Sequence, residues 1–362
     1  MMIVPCIVLA AVGAMAVKAT PFDEQNEQAI EDYLNSGHLL YEVGAPTMSY
    51  KDFRSRLMDP KLDSEQDNNS LRKAPARLMA QDDDNDTLDI PESFDARKKW
   101  PECQSIKLVR NQGNCGSCWA VSAASVMSDR LCIASGGKIQ TILSSTDIIS
   151  CCNECPALPC NGVGLHDAFL PWKYMKSNGI CSGGPYGGEN VCKPYVFYPC
   201  VSPKEIDQYG PCNYNETSPK PMCEKRCKRG YGKSYKDDKV YGDYRKIDEF
   251  DNMAIQKEIM DNGPVQSTIV MYDKFREFQG RGIYHHKQDF LNMKGYHAVK
   301  IIGWGVEERE AKDKKFKVKY WLISNSWGSD WGEGGFFRIV REMVSNGCEI
   351  ERHVYAGYPI LQ

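Results

Sequence analysis

The chain has 362 residues, of which 42% are hydrophobic and 26% are charged, and its formal net charge is −3. This length supports a sizeable core and more than one folding unit, and the composition excludes a largely disordered chain. The small net charge gives no electrostatic footprint for nucleic acid, so we expect no nucleic-acid partner.

An apolar segment with small residues at its end opens the chain. Residues 14–16 and 17–19 both have the pattern of a cleavage site, although the segment carries no Lys or Arg before its apolar run. The run is too short for a stable transmembrane helix, and no later run is long enough. We therefore interpret residues 1–19 as a secretory signal peptide and expect a secreted or lysosomal protein without a membrane anchor.

The next segment, residues 20–89, is polar and contains no cysteine. Residues 29–34 predict a short amphipathic helix, and residues 48–58 predict a second element. A cysteine-free segment between a signal peptide and a cysteine-rich domain is typical of a propeptide, with a disordered spacer as the alternative. Glycosylation sequons occur at Asn68, Asn85 and Asn215.

The composition changes near residue 90, and from there to residue 362 we expect one cysteine-rich domain. Residues 119–180 favour helices around a cysteine-rich break, whereas residues 181–239 predict a long irregular segment stapled by disulfides. A short helix is predicted at 255–260, and strands are predicted at 265–271, 298–303, 318–323 and 336–340. A helical half followed by a strand-rich half predicts an α+β fold with a site in the cleft between the halves.

The 16 cysteines fit an oxidising compartment. Only Cys6 precedes residue 103, and the other fifteen leave one free thiol if the rest pair. A zinc site is the alternative for a later group, but it is disfavoured in a cysteine-dense secreted chain without a tidy repeat. We expect no metal and no cofactor. The alternative group comprises Cys152, Cys155, Cys223 and Cys227.

The strongest chemical signal is the stretch from Gln112 to Trp119. An Ala-rich segment at helical spacing follows Cys118 and stops at a Gly pair, so Cys118 is predicted in the first turn of a buried helix. Unpaired N–H groups and the positive end of the helix dipole favour a thiolate there, and the thiolate is the nucleophile. Cys115 and Cys118 also form a C-x-x-C pattern, which leaves a redox pair, half of a zinc site or a local disulfide as alternatives.

A thiolate nucleophile needs a base, and the chain has six histidines. His297 opens an apolar strand, and Asn325 follows another strand, with Trp327 close behind it. An Asn side chain can accept the imidazole N–H, and an indole can shield that contact from water, so we predict His297 as the base, although packing explains a strand histidine nearly as well. Four of the other five histidines have plainer interpretations: His38 lies in the propeptide, His166 lies on a surface helix, and His285 and His286 lie in a solvated polar loop.

Together these residues resemble the papain family of cysteine proteases, and within it the cathepsin B group. The resemblance rests on Gln-Gly-x-Cys-Gly-Ser-Cys-Trp, the late His-Ala strand, Asn-Ser-Trp and a cysteine-rich insertion at about residues 192–239. It covers about residues 88–359 and implies a papain-like fold of a helical lobe and a β-barrel-like lobe with the active site between them. The stretch around Asn-Ser-Trp is also similar to gut proteases of parasitic worms.

The resemblance implies a cysteine-type endopeptidase made as a secreted zymogen. Cys118 would attack the peptide carbonyl, His297 would form an ion pair with Cys118 and protonate the leaving amine, and Asn325 would orient His297. The Gln112 amide and the Cys118 N–H would form an oxyanion hole. The implied substrate-binding residues are Gly162, Val163, Thr268, Ala298, Trp327 and His353.

The resemblance also implies disulfides and partners. Cys181 and Cys348 have no implied partner. The partners would be protein or peptide substrates, the chain's own propeptide as inhibitor and cystatin-type inhibitors, around a monomeric enzyme. The implied disulfide pairs are Cys103–Cys132, Cys115–Cys160, Cys151–Cys223, Cys152–Cys155, Cys192–Cys227 and Cys200–Cys212.

Four departures from the cathepsin B pattern modify these expectations. The loop from Cys200 to Cys212 lacks the His pair that binds a substrate's terminal carboxylate, and Lys204 offers only one charge, so carboxydipeptidase activity should be weak or absent. Val163 replaces a Gly and should disfavour a positive φ. Tyr296 replaces a Gly and should crowd the primed side.

The fourth departure is His353, which replaces an acidic residue of the S2 pocket, so apolar or aromatic P2 residues should be preferred to Arg. These changes keep a catalytically impaired homologue, acting as a binding or decoy protein, as the alternative function. A disulfide-rich structural protein is a further alternative, but it leaves the four catalytic matches as coincidence.

Overall fold

The computed structural model describes residues 21–60, 90–213, 220–287, 289–311, 314–342 and 346–361. The signal peptide predicted at residues 1–19 lies outside these ranges, as do the sequons at Asn68, Asn85 and Asn215. Among the described helices, none combines the length and apolarity needed to cross a membrane.

The helices precede most of the strands along the chain, as the sequence predicted. The helices predicted at 29–34 and 255–260 are present with wider bounds. The α-helices are α1 (Pro21–Asn35), α2 (Tyr50–Ser55), α3 (Ala96–Lys99), α4 (Gln104–Lys107), α5 (Cys118–Ala134), α6 (Ser145–Cys151), α7 (Leu170–Asn178), α8 (Pro203–Tyr209) and α9 (Asn252–Asn262). Turns of 3₁₀-helix lie at Pro159–Asn161, Leu165–Asp167, Asp273–Arg276 and Phe290–Asn292.

The strands form a sheet in the order β1-β5-β8-β7-β6-β4-β9-β3, and β2 pairs with β6. β5 and β8 run parallel, whereas β6 is antiparallel to both β4 and β7. Helices and sheet together confirm the predicted α+β architecture. The strand bounds are β1 (Tyr41–Val43), β2 (Phe94–Asp95), β3 (Gly242–Ile247), β4 (Val265–Tyr272), β5 (Phe278–Tyr284), β6 (Met293–Ala311), β7 (Lys314–Ser324), β8 (Phe336–Val340) and β9 (Val354–Pro359).

Helix α5 is the central helix, and its residues 118–132 are all buried. Two of them are charged and paired across to the strand-rich half. Lys300 Nζ on β6 donates to Asp129 Oδ2 at 2.7 Å, and Arg130 pairs with Glu258 of α9 at 2.8 Å. Removing one partner of a buried pair leaves an uncompensated charge, so both contacts fix α5 against β6 and α9. Cys118 at the start of α5 is thereby held in register with β6.

Disulfides cross-link the irregular segment and its surroundings, and they include all six cysteine pairs that the resemblance implies. Cys118, Cys181 and Cys348 are free and buried. The condition under which Cys118 would be the one free thiol, that all the other cysteines pair, is therefore not met. Cys181 lies near the Asp147 carboxylate of α6, whereas the Cys348 carbonyl accepts the N–H of Val270 of β4, so the two thiols belong to different parts of the fold.

Candidate active site

Cys118 is the first residue of α5 and is fully buried. The backbone N–H groups of Ala298, of Trp119 and of Cys118 itself lie close enough to its thiol to favour the thiolate. The donors at residues 118 and 119 are unpaired N–H groups of the first helical turn, as the sequence predicted. Ala298 lies on β6 directly after His297, so this contact places the sulfur beside the predicted base.

His297 is held by Asn325, which follows β7. The His297 Nε2 and Asn325 Oδ1 atoms are 2.8 Å apart. Because Oδ1 can only accept, Nε2 carries the proton, and Nδ1 keeps its lone pair. Among the described residues, Nδ1 has no hydrogen-bond partner. The Trp327 ring covers the imidazole at a centroid distance of 5.0 Å. The geometry is that of an oriented base with one nitrogen available.

Gln112 is fully buried, and its amide is held at both ends. Its Oε1 accepts from Ser326 Oγ at 2.6 Å, and its Nε2 donates to the Cys115 carbonyl at 2.7 Å and the Arg56 carbonyl at 2.9 Å. Ser326 therefore positions the amide, a role that the sequence did not reveal. Gln112 Nε2 is a donor aimed at a carbonyl oxygen in the cleft, which is the property required of an oxyanion-hole group.

The cleft holds residues 56–59, which we call the cleft segment. Besides the Arg56 carbonyl on Gln112, Met58 and Tyr296 exchange backbone hydrogen bonds of 2.9 and 3.1 Å. The Asp59 N–H donates to the Asn161 carbonyl at 2.8 Å. A Cβ added to Gly162 would lie 2.4 Å from the Met58 side chain, so Met58 packs directly on this glycine. The cleft segment covers the functional groups along its length.

Burial beneath the cleft segment keeps both functional groups neutral. Loss of solvent raises the pKa of the Cys118 thiol to about 12, although the three backbone N–H groups oppose the shift. Loss of solvent also lowers the pKa of His297 to about 4; the Asn325 hydrogen bond opposes this shift, and the positive charge of Arg56 adds to it. In this form the pair is a thiol and a neutral imidazole rather than the ion pair.

The predicted substrate-binding residues line the same cleft region in part. Thr268 of β4 pairs with Ala298 of β6, and both are buried. His353 is buried just before β9. The left-handed backbone belongs to Gly162, with φ of 89°, and Val163 is not among the described residues with positive φ. Val163 therefore keeps the ordinary backbone that a β-branched residue prefers, because the glycine before it makes the turn.

Tyr296 and the histidine pair complete the set of residues singled out from the sequence. Tyr296 is fully buried and pairs with Met58 in the cleft. His285 is buried instead of solvated, and burial with the neighbouring charge of His286 lowers its pKa to about 4. His286 stacks on Tyr272 at a centroid distance of 3.9 Å. The polar sequence around the histidine pair concealed the aromatic residues that cover it from other strands.

Comparison with known proteins agrees with this geometry. The family model described as papain family cysteine protease matches residues 90–358. A cathepsin B-like cysteine proteinase 6 from Caenorhabditis elegans is 44% identical over 76% of this chain and 68% of its own. A cathepsin B-like cysteine proteinase 2 from Haemonchus contortus is 39% identical over 94% of this chain and 92% of its own. Among solved structures, proCathepsin B S9 from Trypanosoma congolense is 25% identical, with a TM-score of 0.62, over 95% of this chain and 99% of that one.

Proposed function

The chain belongs to the papain family of cysteine proteases and is cathepsin B-like, and we propose that it is the proform of an endopeptidase that uses Cys118, His297, Asn325 and Gln112. One observation carries the assignment. The N–H of Ala298 lies close enough to the Cys118 thiol to favour the thiolate, while the adjacent His297 is oriented by Asn325 at 2.8 Å. A nucleophile, a base and the group that orients the base therefore meet across the cleft.

Catalysis follows from these positions. The Cys118 thiolate forms a C–S bond with the substrate carbonyl carbon, and the oxyanion that results is stabilised by Gln112 Nε2. The C–N bond then breaks as His297 gives its proton to the leaving amine. His297 next removes a proton from water, which attacks the thioester and releases the acid and the Cys118 thiolate. Each oxyanion donor contributes about 3 kcal/mol to such a transition state.

The cleft segment belongs to a propeptide at residues 20–89 that inhibits the enzyme. It places the Arg56 carbonyl on the oxyanion donor Gln112 and excludes water from Cys118 and His297. Cleavage of the chain between residues 60 and 90 would release the mature domain, residues 90–362. We further propose a signal peptide at residues 1–19, a secreted or lysosomal location and cystatin-type inhibitors as partners of the monomer.

The loop closed by the Cys200–Cys212 disulfide supports endopeptidase activity. Its helix α8 starts with a capping box between Ser202 and Glu205, and Lys204 on this helix is exposed. No residue between the two cysteines is a histidine. A single exposed Lys holds a carboxylate far less firmly than a pair of directed donors. Substrates are then selected by their interior sequence rather than by a free C-terminus.

Digestion of a mixture of unblocked peptides tests this function. At about pH 5.5, below the ordinary pKa of histidine, the processed protein should make internal cuts with apolar or aromatic P2 residues, because His353 supplies no carboxylate for Arg. Mass spectrometry identifies the products. Successive C-terminal dipeptides as main products would contradict the endopeptidase assignment, and a strong P2 Arg preference would contradict the role of His353. An absence of all cleavage would favour the impaired, binding-protein alternative.

A further inference from the structure

The Glu205 carboxylate is fixed at the edge of the cleft. Its Oε2 accepts the backbone N–H groups of Val201 and Ser202 at 2.9 and 3.0 Å, and its Oε1 accepts Asn111 Nδ2 at 2.5 Å. These three N–H donors hold the carboxylate in one position. The start of α8 also orients it, because the bond from Ser202 is part of the capping box. Glu205 is therefore a preorganised negative charge.

This charge lies next to the residue that covers His297. A Cβ added to Gly328 would lie 3.4 Å from Glu205 Oε1, and Gly328 directly follows Trp327. Asn111, which holds Oε1, forms a β-bridge with Trp327. Since His297 gives its proton to the leaving amine, the substrate residues after the scissile bond lie against His297 and its Trp327 cover. Glu205 thus faces the leaving-group side of the cleft.

The propeptide now fills this position with a cation. The Arg56 side chain is 1% exposed, and its guanidinium carbon lies 5.7 Å from the centroid of the Trp327 ring. Its Nε and Nη2 atoms have no hydrogen-bond partner among the described residues. A buried charge of this kind requires countercharge, and the carboxylates that act on it electrostatically are Glu205 first and Asp52 second. Arg56 lies over the Trp327 face, and the charges of these two carboxylates stabilise its cation from a distance.

We propose that Glu205 and Trp327 form a subsite for an Arg or Lys side chain on the primed side of a substrate, which opens when the propeptide leaves. The proposal rests on the proposed protease function. The aromatic face suits a guanidinium better than an ammonium, so Arg should be preferred to Lys. Asp52 departs with the propeptide, which leaves Glu205 as the countercharge. The same charge repels a substrate's terminal carboxylate. This repulsion adds to the effect of the missing histidine pair, and both disfavour carboxydipeptidase activity.

Matched internally quenched peptides test this subsite. They carry Arg, norleucine or Glu at P1′, and in a second series at P2′, with the rest of the sequence constant. Norleucine keeps an unbranched stem and removes the charge. In the processed protein, kcat/KM should be about threefold or more higher for Arg than for norleucine in one series, and lowest for Glu, as for a partly exposed charge pair. Added salt should reduce the Arg preference.

The variant Glu205→Gln removes the charge and keeps an oxygen for the capping box. Its Arg-to-norleucine ratio should fall to about one, and the ratio is measured within each protein so that differences in active concentration cancel. Asp207→Asn is the matched control, since Asp207 is an exposed acid on the same helix. Its ratio should stay that of the wild type.

The outcomes separate the two proposals. Equal wild-type cleavage of the Arg and norleucine peptides in both series overturns the subsite alone. An Arg preference that survives Glu205→Gln, or that is lost equally in Asp207→Asn, also overturns it. If the wild type cleaves none of the peptides, the proposed function fails and the subsite fails with it. A wild-type Arg preference that added salt leaves unchanged overturns the subsite without any variant.

Discussion

Replacement of Cys118 by alanine should lower kcat/KM of the processed protein by about 10⁵-fold or more, because the covalent route through the thioester disappears. Cys118 stands at the N-terminus of α5, beside the strand that carries His297. Steady-state hydrolysis of a fluorogenic peptide measures the effect. The amount of folded protein is determined from the protein concentration and the circular dichroism spectrum, since the variant has no Cys118 thiol to titrate.

The other two free thiols provide the controls. Cys181 and Cys348 are buried like Cys118, and burial raises the pKa of both. Neither lies beside His297, so Cys181→Ala and Cys348→Ala should keep most of the activity per folded molecule. A loss below about tenfold in Cys118→Ala, or an equal loss in one of the controls, would be incompatible with Cys118 as the nucleophile.

Removal of the propeptide should raise the alkylation rate of Cys118 by iodoacetamide by about 10³-fold or more near pH 6. In the proform, burial raises the pKa of this thiol to about 12 and lowers the pKa of His297 to about 4. Both shifts oppose the transfer of the thiol proton to the imidazole. Loss of the cleft segment returns solvent to the cleft and removes the Arg56 charge, and both changes favour the ion pair.

The alkylation rate of Cys118 should depend on pH differently in the proform and in the processed protein. A thiol with a raised pKa stays protonated throughout the neutral range, so the proform rate should rise steadily with pH. The processed protein should instead react with a plateau that begins at acidic pH, since its thiolate exists as soon as the ion pair forms. Mass spectrometry at timed intervals gives both rates. Equal rates in the two forms, or parallel pH profiles, would show that the propeptide does not set the protonation of this pair.

Local signals in the sequence placed the proposed catalytic residues on the helix and strands where the structure has them. The Ala-rich segment after Cys118 predicted a buried helix, and α5 is that helix. His297 and Asn325 were each tied to a strand, and the β6–β7 pairing brings them to 2.8 Å. In both cases the chemistry of the side chain and the periodicity of its helix or strand indicated the same residue. The pairing of the strands in the sheet then brought His297 and Asn325 together.

Contacts between distant segments could not be read from the sequence. Ser326 holds Gln112 from a position 214 residues away, and neither residue type signals the other. Glu205 was part of a polar loop sequence, and its meaning depends on Arg56 and Trp327, which the fold places beside it. The missed strand β5 contains Gly280 and Gly282, both with positive φ, which resemble a turn by composition. Tertiary pairing overrode these local preferences.

The most direct test of Cys118 as the nucleophile is covalent labelling of the processed protein with an epoxysuccinyl inhibitor. The reaction is run at about pH 5.5, which is below the ordinary pKa of histidine and of the thiol. Digestion and mass spectrometry then locate the labelled residue. If Cys118 is the nucleophile and the propeptide covers it, a single adduct should form on Cys118. It should form in step with the loss of peptidase activity and be absent from the proform. An adduct on Cys181 or Cys348, or full labelling of Cys118 without loss of activity, would contradict it.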